Sequence, residues 1–130
     1  MKYLGIDYGT KNIGLAISDE DGRMAFPKET IQNNIMTMGR IKNICDEEEV
    51  VEIVIGESLD FKQNPNPVMA DIDTFSQALR DEIGKKVHLE PEFMTSQQAE
   101  KIQGKHDNLD ASAATIILQS YLDKVNGGVI

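Results

Sequence analysis

The stretch KYLGIDYGTKNIGLAIS at residues 2–18 decides the fold. Lys2–Asp7 and Ile13–Ser18 are short apolar runs with strand character, and Tyr8-Gly9-Thr10-Lys11-Asn12 between them reads as a hairpin-like loop. A second turn at Asp19-Glu20-Asp21-Gly22 leads into a third candidate strand over Arg23–Ile31. Three consecutive antiparallel strands follow. From Asn34 the period changes: Ile35, Met38, Ile41 and Cys45 fall on one helical face, and the acidic run Asp46–Glu49 closes that helix. Acids at a helix C-terminus oppose the macrodipole, so this end is expected to fray or to be solvated.

Further along, Val50–Ile55 predicts a buried strand ending at Gly56, and Lys62-Gln63-Asn64-Pro65-Asn66-Pro67 an exposed loop. Val68, Ile72, Phe75, Leu79 and Ile83 predict an amphipathic helix stopped at Gly84. Val87–Leu89 is a short strand, and Thr95 opens a helix with Gln98 placed for a capping box and Gly104 at its end. The last helix starts near Asn108 and runs through Ala113, Ile117 and Leu122. Helices alternating with the later strands imply parallel crossovers, and the opening hairpins an antiparallel wing, so the class is α/β with a mixed sheet. A length of 130 residues suits one domain, taken as 1–126 with a tail at 127–130.

Composition excludes several classes of function. Cys45 is the only cysteine, so no internal disulfide framework exists, and no Cys/His grouping has zinc spacing. No apolar run approaches the roughly 18 residues of a membrane span, and no signal-peptide core precedes Gly5 and Asp7, so a cytoplasmic protein without membrane contact is expected. With no Trp and 5% aromatic residues, a base-stacking aromatic platform is not expected. The formal net charge of −9 argues at first against a polyanionic partner. Its distribution changes that inference, because Asp46–Asp60 holds seven acids and no base, leaving −2 for the rest of the chain.

Five acids outside the run Asp46–Glu49 stand where a site would form. Asp7 ends an apolar strand before a Gly-Thr turn, Glu57 stands just past Val50–Ile55, and Glu92 just past Val87–Leu89. Carboxyl ends of parallel strands are the usual ligand edge of an open α/β sheet. Asp110 shares a helical face with Ala113, Ala114 and Ile117, and Asp107 lies one turn before it. Turn initiation for Asp7, solvated loops for Glu57 and Glu92, and a helix-dipole role for Asp110 are the alternatives. Converging carboxylates repel unless they share a proton or a cation. Oxygen ligands without His or Cys point to Mg²⁺ or Mn²⁺, the cations that phosphodiester hydrolysis uses. His106 is a candidate proton shuttle, with an ordinary surface role as the alternative.

GIDYGTKNIGLAISD at 5–19 closely resembles the N-terminal signature of the YqgF (RuvX) family, RNase H-like nucleases described as Holliday junction resolvases and as maturation nucleases of pre-16S ribosomal RNA. LDASAATIILQSYLD at 109–123 resembles that family's closing helix, and Glu92-Phe-Met-Thr-Ser96 resembles its Asp-Glu-Arg-Leu-Thr-Thr block. The resemblance implies an RNase H-like fold, a mixed five-stranded sheet with its first three strands antiparallel, flanked by helices. It implies Asp7, Glu92 and Asp110 as catalytic metal-binding carboxylates and Lys11 as a phosphate contact, and aligns Thr95 with the family's first Thr, a further substrate-binding candidate; Lys105 is a candidate on its own charge for positioning phosphate. The implied activity is metal-dependent endonucleolytic cleavage of an rRNA precursor or branched DNA, by a monomer or a two-fold homodimer.

Two departures remove guanidiniums: Asn12 stands where the family usually has Arg, and so does Phe93. Lys does not replace their bidentate geometry, so substrate affinity is expected to be weak. The related RuvC resolvases carry a second carboxylate at the end of their fourth strand, where Glu57 falls, and a closing acidic pair that Asp107-x-x-Asp110 resembles. A hybrid metal site follows, with Asp7, Glu57, Asp107 and Asp110 as ligands and Glu92 secondary. Competing functions are a non-catalytic module of this fold contacting a ribosome-associated protein, and an actin-like ATP-binding fragment suggested by Asp7-Tyr-Gly9-Thr10. The latter needs two such domains to close over the nucleotide.

Overall fold

Alternation of side chains along one central strand divides the core into two layers. The computed structural model describes residues 1–58, 68–92 and 109–127, apart from the side chains of Ser58, Glu92, Leu109 and Asp110. Strand β1 (Lys2–Asp7) sits in the middle of a five-stranded sheet. β2 (Asn12–Ser18) pairs antiparallel with it, and β3 (Ala25–Gln32) antiparallel with β2. On the other side β4 (Val50–Ser58) and β5 (Lys86–Glu92) add in parallel, giving the order β3-β2-β1-β4-β5. The mixed sheet with an antiparallel wing is the one expected.

Leu4 and Ile6 face the layer formed by α1 (Thr37–Glu48) and α2 (Met69–Ile83), where they pack with Ile41, Ile44, Ile72 and Leu79. Each such side chain contributes roughly 1.5–3 kcal/mol on burial. Tyr3 faces the opposite layer, made by α3 (Leu109–Val125) through Ala114, Ile117, Leu118 and Leu122. Small residues, Ala16, Ala25 and Ala114, stand in this second layer beside the large ones. Gly5 lies so close to α3 that a Cβ there would stand 2.7 Å from Leu118 Cβ and 3.0 Å from the Ala114 carbonyl oxygen. The lower half of α3 is tied down by Glu90, which is 3% exposed and accepts hydrogen bonds from Ser120 Oγ at 2.8 Å and Lys124 Nζ at 2.6 Å.

Three expectations about element ends are corrected. Ile35 is not on the α1 face; it is 96% exposed, and the buried face is Thr37, Ile41, Ile44 and Cys45. Asn34 Oδ1 accepts the Met36 N–H at 2.8 Å and Thr37 Oγ1 accepts the Asn34 N–H at 2.9 Å, side-chain bonds that compete with helix and delay its start. The acidic end of α1 is not simply solvated, since Glu48 takes Lys2 Nζ at 3.0 Å and Lys28 Nζ at 2.9 Å, and Glu49 closes the helix in a left-handed conformation. β4 runs past Gly56 to Ser58 and β5 spans Lys86–Glu92, because each strand continues wherever its parallel partner offers hydrogen bonds. Gly84 stops α2 as expected, at φ 75°.

The two lysines give Glu48 a pH-dependent share in stability. Hydrogen bonds first from Lys28 and then from Lys2 hold its carboxyl below its ordinary value of 4.5. A depressed carboxylate stabilises the fold above its unfolded value, and that contribution fades as pH falls through the folded one. Glu48→Gln is expected to cost about 1 kcal/mol at pH 7, the scale of two partly exposed ion pairs. Urea denaturation at pH 7 and pH 3 should show the gap between wild type and variant closing in acid. Cys45, buried in the α1 layer, has its thiol pushed up to about 11 by desolvation, which makes it a core hydrophobe and not a reactive group.

Candidate metal and nucleic-acid site

Strands β1, β4 and β5 run in parallel and so end on one edge of the sheet. Asp7 is the last residue of β1, half-buried, one step past the Ile6–Ile55 pair. Its face follows from alternation: Tyr3 and Gly5 contact the α3 layer, so Asp7 belongs to that face. On β5, His88 stacks on Tyr121 of α3 and Glu90 bonds to Ser120, and Glu92 occupies the next position of that series. The third candidate acid belongs to the helix. Ala114 lies against Gly5; Asp110 is one turn before Ala114 and Asp7 two residues after Gly5. Four helical residues rise about 6 Å and two strand residues about 6.6 Å, so the first turn of α3 is level with Asp7. The chain ends of α3 agree, since Asn126 Nδ2 donates to the Gly22 carbonyl at 2.8 Å, at the opposite edge of the sheet.

Glu57 does not join this face. Within β4 it pairs with Pro91 and alternates with Ile53 and Ile55, which pack in the α1/α2 layer, whereas Val54 belongs to the α3 layer. The expected partnership of Glu57 with Asp7 therefore meets a sheet between them. Lys11 is exposed in the loop after Asp7, at the same edge. Asp107, Thr95, Lys105, His106 and Phe93 lie outside the described residues. Among the described residues no three of His, Cys, Asp and Glu are grouped as a metal site, a set without the side chains of Glu92 and Asp110.

Asn33 carries a positioning role that the sequence did not reveal. Its Nδ2 donates to the Gly9 carbonyl at 2.9 Å and its backbone N–H to the Lys11 carbonyl at 2.8 Å, clamping the loop between Asp7 and β2. Gly9 is required there, because a Cβ would collide with the Asn12 carbonyl oxygen. An Asn after a strand signals only a turn; its partners are 22 to 24 residues away in sequence. Asn33→Ala is expected to lower stability by about 1 kcal/mol through the Gly9 carbonyl it abandons, measurable by denaturant titration. At the far edge, a cleft of about 420 Å³ between Met1, Lys2, Glu20, Asp21, Glu48 and Glu49 holds none of the candidate carboxylates.

The family model described as RuvX, Holliday junction resolvase, matches residues 1–124. A protein of Maridesulfovibrio salexigens named "Putative pre-16S rRNA nuclease" is 35% identical, across 94% of this chain and 98% of its own length. One of the same name from Listeria monocytogenes is 33% identical over 97% of this chain and 100% of its own. Among solved structures, Thermus thermophilus RuvC in complex with a Holliday junction substrate superimposes with a TM-score of 0.61 at 16% identity, covering 98% of this chain and 97% of that one. The fowlpox virus resolvase in complex with Holliday junction DNA gives 0.59 at 14% identity over 96% and 99%. These likenesses agree with the RNase H-like fold built above from strand order and direction. Among the described residues no helix is long and apolar enough to cross a membrane. The chain belongs to the RuvX (YqgF) family.

Proposed function

We propose that this protein is a divalent-metal-dependent endonuclease of structured nucleic acid, with Asp7, Glu92 and Asp110 as its metal-holding carboxylates. The observation that carries the reading is the level placement of Asp7 and the first turn of α3 at the carboxyl edge, on the face that Glu92 also continues. Three acids placed at one edge, with no Cys or His among them, suit Mg²⁺ or Mn²⁺, and a cation would relieve their repulsion. When bound, the ion supplies positive charge at the phosphate and activates the attacking water. Asp7 is held at the end of a central strand, so its carboxylate is fixed before substrate arrives. The Asn33 clamp keeps the exposed Lys11 beside it, where an ammonium contacts the phosphate backbone. Asp107 lies one turn from Asp110 in sequence and is a second candidate ligand, whereas Glu57 is left out by its face.

The name shared by relatives at 33–35% identity favours an rRNA precursor as substrate, over the junction DNA of structures at 14–16%. Such a substrate would be met in the cytoplasm, and cleavage at a single strand needs no two-fold dimer. The test uses the full chain with a pre-16S oligonucleotide and a four-way junction, in Mg²⁺, Mn²⁺ or chelator. Cleavage in metal alone, faster on the precursor, is expected. Failure to cut either substrate in either metal would sink the nuclease reading.

A further inference from the structure

We propose that the turn carrying Ile35 and Met36 is a wedge that packs against unstacked bases of the nucleic acid at the carboxylate edge, an inference that rests on the nuclease reading above. Ile35 is 96% exposed and Met36 70% exposed. β3 runs in the same direction as β1, so its end and this turn stand at the edge of Asp7, next to the loop that Asn33 clamps. The other exposed large apolar residues among those described are Met1, Met24, Phe26, Val51 and Val125. Each of these sits at the start of β1, β3 or β4 or at the end of α3, on the opposite edge. Ile35 and Met36 are thus the exposed large apolar side chains of the described carboxylate edge.

The turn is also closed by its own hydrogen bonds. Thr37 Oγ1 donates to the Gln32 carbonyl at 2.9 Å while accepting the Asn34 N–H, Asn34 Oδ1 accepts the Met36 N–H, and the Thr37 N–H reaches the Asn34 carbonyl at 3.1 Å. Two apolar side chains held outward on a bonded turn pay little ordering entropy on contact. Their occupant is nucleic acid and not a second copy, because two side chains bordered by Asn33, Asn34 and Lys11 make a point far smaller than the roughly 800 Å² per partner of a stable dimer. Ile and Met are among the side chains that wedge between base steps, and an unpaired or branch-point base is the easiest to unstack. With few basic residues to grip the backbone, such contact would select structured over regular duplex substrate.

The experiment compares wild type with Ile35→Ser/Met36→Ser on oligonucleotides carrying 2-aminopurine at an unpaired or branch-point position, and on a fully paired duplex. Fluorescence reports unstacking without requiring cleavage. Wild type should change the emission at the unpaired position, and the variant should bind that substrate roughly tenfold more weakly with no emission change. Its affinity for paired duplex and its Tm should stay those of wild type, and Ile35→Leu/Met36→Leu should restore the signal. Unchanged binding and emission in the serine variant would overturn the wedge, as would a fall in Tm or a wild-type dimer that the variant converts to monomer. An intact emission response with no cleavage in any metal would support the wedge and remove the nuclease reading alone.

Discussion

Asp7→Asn is expected to reduce metal-dependent cleavage about a thousandfold, equivalent to about 4 kcal/mol of transition-state stabilisation. Asn keeps the shape of the side chain and the end of β1, but it removes the charge proposed to hold the cation. Mn²⁺ is expected to raise the Tm of wild type and not that of the Asp7 variant, because a ligand stabilises the folded form that binds it. Two companions separate the candidates for a second carboxylate. Glu92→Gln should lose both activity and the Mn²⁺ response, since Glu92 continues the face of His88 and Glu90. Glu57→Gln should retain both, since Glu57 alternates with Ile53 and Ile55 on the other face. Loss of Mn²⁺ binding in the Glu57 variant would return that residue to the site. Cleavage by the Asp7 variant at the wild-type rate would identify a contaminating nuclease.

The face of Glu57 shows where the sequence stops informing. With Gly56 taken as the strand end, Glu57 becomes a loop acid free to turn toward Asp7; pairing through Ser58–Glu92 keeps it in the strand and fixes its side. That pairing depends on β5, whose polar flanks hide its length: Val87–Leu89 is apolar enough to recognise, while Glu90, Pro91 and Glu92 are strand only because β4 lies alongside. Local pattern sufficed for β1 and β2, where apolar runs flank a glycine turn, and for the stop of α2 at Gly84. It failed at α1, where Asn34 and Thr37 bond to nearby backbone and turn Ile35 into solvent. The acidic run likewise hid long-range partners: Lys2 and Lys28 reach Glu48 from 46 and 20 residues away. The position of Asp7, the first candidate acid in the chain, was legible because its strand, its turn and its place at the sheet edge are all local.

Gly5→Ala is expected to cost about 2 kcal/mol of stability and most of the activity, although alanine is ordinarily the better strand residue by about 0.5–1 kcal/mol. The added Cβ would stand 2.7 Å from Leu118 Cβ and 3.0 Å from the Ala114 carbonyl oxygen, and neither is the movable end of a flexible side chain. Relief requires α3 to move away from β1 as a unit. That movement is resisted by Glu90 through Ser120 and Lys124, and by Gln119, which accepts the Ala25 N–H and donates to the Arg23 carbonyl. With its lower half anchored, the helix tilts outward at its first turn, the end that carries Asp110. A displacement on the order of 1 Å at a reacting group costs about a hundredfold in rate. Gly5→Ala should therefore lower Tm by several degrees and weaken Mn²⁺ binding together, even though Gly5 touches neither metal nor substrate. Unchanged stability would mean that α3 does not lie this close to β1, and unchanged Mn²⁺ affinity in a destabilised variant would separate Asp110 from the ion.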